Sequence, residues 1–166
     1  MNKRIRQYVG ILSTVITYYV IHEGAHLLYA LYLNVFKQIR FMGLGIQIDI
    51  YADKLTSLQM TVFCALGSIA TLIACWILVF NIDKMKNISF QLVKACLYYI
   101  TIGLLFIDPL YLSVLCGFVG GGDMNGISLI IPSGVARLIY ACVFVMNIIV
   151  FRNIVLPKYK EMFKSE

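Results

Sequence analysis

The sequence predicts an all-α polytopic membrane protein of about four transmembrane helices, with a short membrane-associated β-hairpin-like segment after the first. Three observations predict it. Of the 166 residues, 61% are hydrophobic and 13% charged, at a mean hydropathy of +0.86, whereas soluble domains average about 25% charged residues. Four apolar stretches approach the roughly 20 helical residues needed to cross about 30 Å of hydrocarbon. Lys and Arg gather in the connections between those stretches, as in spans held in register by headgroups.

The first stretch runs from Tyr8 to Val35 behind the basic start "MNKRIRQ". That start imitates a secretory signal peptide, but the apolar run is longer than a signal core and no small-x-small site ends it. It reads as a topology signal. Residues 36 to 50, "FKQIRFMGLGIQIDI", alternate apolar and polar positions as strands do, with Gly43 and Gly45 as bend points. The second stretch covers Leu58 to Asn81 and the third Ser89 to Ile107, after which Asp108-Pro109 is expected to break the helix. "FVGGGDMNGI", residues 118 to 127, sets Asp123 behind three glycines, and the last stretch runs from Gly134 to Phe151. Little chain is left over, so a single domain over residues 1–166 is expected, with any chemistry in or beside the bilayer.

Placing both termini in the cytosol puts nine basic residues in inner connections and three in outer ones, which favours that orientation. The net charge of +6 is accounted for by anionic lipid headgroups, so the lipid bilayer is an expected partner and nucleic acid is not. Five cysteines, an odd number with no CxxC pair, read as small packing residues. Lys94 lies near a span end, where its stem can reach the headgroups. Arg137, a turn inside the last span, is expected to reach them too, with Asp108 or Asp123 as alternative partners.

Chemistry concentrates in "YYVIHEGAHLLYA", residues 18 to 30. On a helix His22 and His26 are one turn apart on one face, so both imidazoles can bind one metal ion while Glu23 lies beside its open side. Such a pair suits Zn²⁺, which lowers the pKa of a water whose proton the glutamate accepts. A packed pair of structural histidines is the competing reading. Against it, these are the only two histidines in the chain, and they fall roughly 20–27 Å into the first span at 1.5 Å per residue. Ionisable groups at that depth are functional candidates.

Two histidines rarely complete a catalytic zinc site. The remaining candidates are Asp49, Asp53, Asp83, Asp108, Asp123 and the thiols. Asp123 is favoured, because the glycine run frees its backbone and the span order brings it to the motif's side of the membrane. It would also offset the metal's charge in a low-dielectric site. Asp108 is the competitor, although a helix-end role or a pairing with Arg137 accounts for it without metal.

"HEGAH" in an apolar helix, then a glycine-punctuated hairpin-like segment, a span with a small-residue step and a distal Asp-x-x-Gly, together resemble the site-2 protease family of intramembrane zinc metalloproteases over approximately residues 15 to 130. The resemblance implies His22, His26 and Asp123 as zinc ligands, Glu23 as catalytic base, and a β-segment that presents an extended substrate by strand addition. Where the family carries Gly-Pro-x-x-Asn, this chain has Gly67, Ser68 and Thr71. Ser68, Thr71 and Asn125, with Gly43 and Gly45, are candidate substrate or oxyanion contacts, and ordinary interhelical packing is the competing reading for the first three. The expected activity is hydrolysis of a peptide bond in or near a membrane segment of a protein or peptide substrate, in a bacterial-type plasma membrane. A catalytically silent relative acting as a binding or chaperone partner is the alternative. A metal-transport component fits less well, since no run of further ligands marks a path.

Overall fold

The structure is a computed structural model that describes residues 3–43 and 45–164. Helix α1 (Lys3–Tyr32) ends where Asn34 adopts a left-handed φ of 55°. The Val35 N–H then reaches back to the Ala30 carbonyl (2.9 Å) and the Asn34 N–H to that of Leu31 (3.1 Å). This is a Schellman stop, which satisfies carbonyls the helix would otherwise orphan. It turns the chain into strand β1 (Phe36–Met42) and its antiparallel neighbour β2 (Gly45–Ile50), with Ile39 opposite Ile48. Gly43 takes a φ of 60° in the turn, a conformation cheap only for glycine. At the open end, the Gln38 amide and the Arg40 guanidinium hold the Asp49 carboxyl below the usual range.

Helix α2 (Ser57–Phe80) starts on a capping box in which Thr56 and Gln59 exchange side-chain and backbone hydrogen bonds. A 3₁₀ segment, Ile82–Asn87, leads to helix α3 (Gln91–Val119). A short helix α4 (Gly122–Ile127) and helix α5 (Ser133–Lys164) complete the chain. Of these, α2, α3 and α5 are long and apolar enough to cross a membrane. Helix α1, with 30 residues, has ample length but is not among them. His22, Glu23 and His26, with its serine, threonines and tyrosines, dilute its apolar runs.

The third helix corrects an expectation. It does not break at Asp108-Pro109, because Pro109 lies inside the α-helical part (Gln91–Leu110) and a π turn (Tyr111–Leu115) carries the helix on to Val119. Proline has no N–H to give the carbonyl four residues back. Here the Leu105 carbonyl accepts instead from the buried Asn147 amide of α5 (2.6 Å). In the π turn, the Ser113 hydroxyl donates to the Pro109 carbonyl (2.5 Å) and the Arg137 Nε–H to the Ser113 carbonyl (3.0 Å). Arg137 is therefore tied to the broken ladder of α3, and neither Asp108 nor Asp123 is its partner. Lys94 is buried, at 5% exposure, and does not extend to the surface as expected.

Helices α1 and α3 meet at contacts only glycine permits. A Cβ on Gly10 would lie 2.3 Å from the Tyr99 ring, and one on Gly103 would lie 2.1 Å from the Thr14 methyl. Close backbone approach of this kind drives helix association in apolar surroundings. One buried cluster surrounds the hairpin side of the molecule, including Ala30, Val35, Ile48, Phe63 and Met124. A second, with Ile82, Leu104, Leu105, Val155 and Tyr159, fills the opposite end. The five cysteines are free thiols and Cys64, Cys75 and Cys116 are buried, in keeping with packing roles.

Overpacking the α1–α3 contact is expected to destabilise the fold. Gly103→Ala should cost about 1–3 kcal/mol, read as a fall in detergent melting temperature, and Thr14→Ala in the same chain should restore most of it.

Candidate metal centre

The interior face of α1 turns His22 and His26 toward α2, their ring centroids 4.9 Å apart. Both are buried. His26 Nδ1 lies 2.8 Å from the Phe63 carbonyl of α2. A carbonyl only accepts, so Nδ1 carries the proton and the Nε2 lone pair is free. His22 Nδ1 lies 3.3 Å from both Asp108 carboxylate oxygens, which fixes that ring in the same sense. Each histidine is thus held by the nitrogen that faces away from its neighbour, an arrangement typical of metal-ligating imidazoles.

Asp108 is 1% exposed, and a carboxylate so buried needs donors on all sides. Tyr18 Oη donates to it at 2.6 Å, Thr71 Oγ1 donates to it from α2, and His22 supplies the third. Tyr18 also stacks on the His22 ring with centroids 5.1 Å apart. The helix-end and Arg137-pairing roles expected for Asp108 are replaced by this network.

Helix α4 brings in the remaining group. Gly120, with a φ of 95°, ends α3 and turns the chain back, and Tyr111 Oη donates to its carbonyl (2.6 Å). Gly126 then seats α4 on α2, where a Cβ would strike the Cys64 sulfur at 2.2 Å, and Thr61 Oγ1 donates to the Gly126 carbonyl (2.9 Å). Asp123, in the first turn of α4, therefore faces the histidines. Its Oδ2 lies 3.2 Å from His22 Nε2 and its Oδ1 3.7 Å from His26 Nε2.

His22, His26 and Asp123 each offer one ligand atom, all within 4.8 Å of one another. With both imidazoles neutral and protonated at Nδ1, these are three lone-pair donors converging on one point, as a bound cation requires; without a cation, a proton on His22 Nε2 bridges the ring to Asp123 Oδ2. Gly67 of α2 makes the convergence possible, since a Cβ there would lie 2.6 Å from both Nε2 atoms. Two imidazole nitrogens and one carboxylate are a donor set that fits zinc.

Glu23 faces the hairpin. Its Oε2 accepts from the Ile48 N–H of β2 (3.1 Å), so the strand and the glutamate are in direct contact. The other candidates fare differently. Ser68 is wholly buried and shares its hydroxyl with the Ala65 carbonyl and Tyr140 Oη, an interhelical role. Thr71 touches the site only through Asp108. Asn125 is exposed on α4. Gly43 and Gly45 shape the hairpin turn, three or more residues from Ile48 and so about 10 Å or more along the strand. Reading the sequence missed Tyr18 and Gly67 as parts of the site and weighed Asp108 only as a competing third ligand. Tyr18 stands one turn before His22 on the same helix face, and a carboxylate deep in an apolar helix is itself a signal.

Two outcomes test the cluster by metal retention. Gly67→Ala, which closes the space between the Nε2 atoms, should cut zinc affinity by about tenfold or more, measured by chelator competition on purified protein. Asp123→Ala should lose zinc outright, and Asp108→Asn should retain it with about 10–100-fold weaker affinity. The weakening is expected because Asp108 holds the His22 ring through Nδ1.

Models of known protein families, curated proteins and solved structures yield no match to this chain, so the arrangement of these side chains is the ground for a functional reading.

Proposed function

We propose that this chain is an intramembrane zinc metalloprotease of the site-2 protease kind, cutting a peptide bond in or near a membrane segment of a protein or peptide substrate. The observation that carries the reading is the convergence of His22 Nε2, His26 Nε2 and Asp123 within 4.8 Å, beside a glutamate that contacts a strand. In this reading α1 is a fourth span, both termini are cytosolic and the protein is a multi-pass component of a bacterial-type plasma membrane. The basic residues of the connections support that orientation.

Zinc held there supplies Lewis acidity to the scissile carbonyl and to the attacking water. The chain does the rest. Asp108 and the Phe63 carbonyl hold the two imidazoles with Nε2 forward. Glu23 takes the water proton on a carboxylate oxygen and returns it to the leaving amide nitrogen. Strand β2, whose Ile48 N–H is directed at Glu23, gives an extended substrate a backbone edge beside the base. A helical segment has to unwind to use that edge, since its own carbonyls are already hydrogen-bonded.

A second reading is a catalytically silent relative that binds a membrane partner, favoured by the engagement of Glu23 with Ile48. Glu23→Gln separates the two. In vesicles containing a bacterial membrane-protein extract, the parent should generate new N-termini within membrane segments, mapped by terminal labelling and mass spectrometry. The variant should hold zinc like the parent and cleave about 100-fold or more slowly. Equal yields from both proteins would sink the protease reading.

A further inference from the structure

A second feature lies at the other end of α1. Lys3, Arg6 and Gln7 of its first turns, Gln91 to Tyr99 at the start of α3 and the last turns of α5 enclose a cleft of about 870 Å³. It is separated from the histidines by roughly 22–35 Å of helix at 1.5 Å per residue. Four cations line it, Lys3, Arg6, Lys160 and Lys164, and among the described residues no acidic side chain lines it. Among the described residues, the nearby carboxylates Glu161 and Asp83 are engaged elsewhere, Glu161 with Lys86 (3.1 Å) and Asp83 with Lys158 (2.5 Å). None of the four lining cations forms an ion pair among the described residues. The walls below them are apolar and aromatic, with Tyr98, Tyr99, Leu156 and Phe163.

We propose that this cleft binds an anionic glycerophospholipid, with the phosphate among the four cations and the glycerol and upper acyl chain against the aromatic wall. Four cations gathered at the start of α1 and the end of α5, with no ion pair among the described residues and with the positive end of α1 beside them, attract an anion. The apolar wall favours a lipid over a free phosphate, because a small polar anion gains nothing from it. The position agrees as well. The cleft lies where α1 and α3 begin and α5 ends, which is headgroup level if α1, α3 and α5 are spans. The proposal is independent of the protease reading, because it draws on no residue of the metal cluster.

The test is native mass spectrometry of the full chain, delipidated and titrated with phosphatidylglycerol or with phosphatidylcholine of the same acyl chains. One phosphatidylglycerol should be held about tenfold or more tightly than phosphatidylcholine. Lys160→Gln/Lys164→Gln, both at exposed positions, should remove that preference while helical circular dichroism is unchanged. The charge-matched control Lys37→Gln/Lys54→Gln, remote from the cleft, should preserve it. Equal retention of the two lipids, or an equal loss in the control, would overturn the proposal. Displacement of phosphatidylglycerol by glycerol 3-phosphate alone would also overturn it, by showing a site for free phosphate.

Discussion

The buried carboxylate of Asp108 organises the interior. It accepts from Tyr18 and His22 of α1 and from Thr71 of α2, while belonging to α3 itself. Three helices therefore meet at one charge. In an apolar interior such a group is tolerated only when every lone pair has a donor, so the three helices are held in one relative register. The same bond orients the His22 ring, which makes a packing requirement and the geometry of the candidate metal centre a single constraint.

Close approach is the second requirement, and glycine and proline both serve it. Gly67 lets two imidazoles converge against α2, Gly103 admits the Thr14 methyl, and Gly126 seats α4 beside Cys64. Pro109 frees the Leu105 carbonyl, which anchors Asn147 of α5, and the π turn beyond it offers the Ser113 carbonyl to Arg137. A helix irregularity in apolar surroundings must find such partners from neighbouring helices. The break in the α3 ladder thus becomes the means by which α5 is docked.

Glu23 is placed by the hairpin as much as by its own helix. The Schellman stop at Asn34 folds β1 and β2 back along α1, and β2 offers Ile48 N–H to the carboxylate. A half-buried carboxylate beside a strand edge keeps a hydrogen bond without a fixed cation.

Local pattern by itself determined that long apolar helices dominate, that a hairpin follows the first of them, and that His22, Glu23 and His26 share a neighbourhood. These follow from composition, period-2 alternation and the one-turn spacing of HEGAH, all properties of a few consecutive residues. Tertiary structure alone decided that Asp108 reaches His22 from 86 residues away, that α3 continues past Pro109, and that Gly67 lies against both imidazoles. It also decided that Arg137 binds a carbonyl and neither aspartate. Each depends on which helix faces lie against one another. Those faces are chosen by the joint satisfaction of buried donors, acceptors and volume, and no single segment of sequence contains that information.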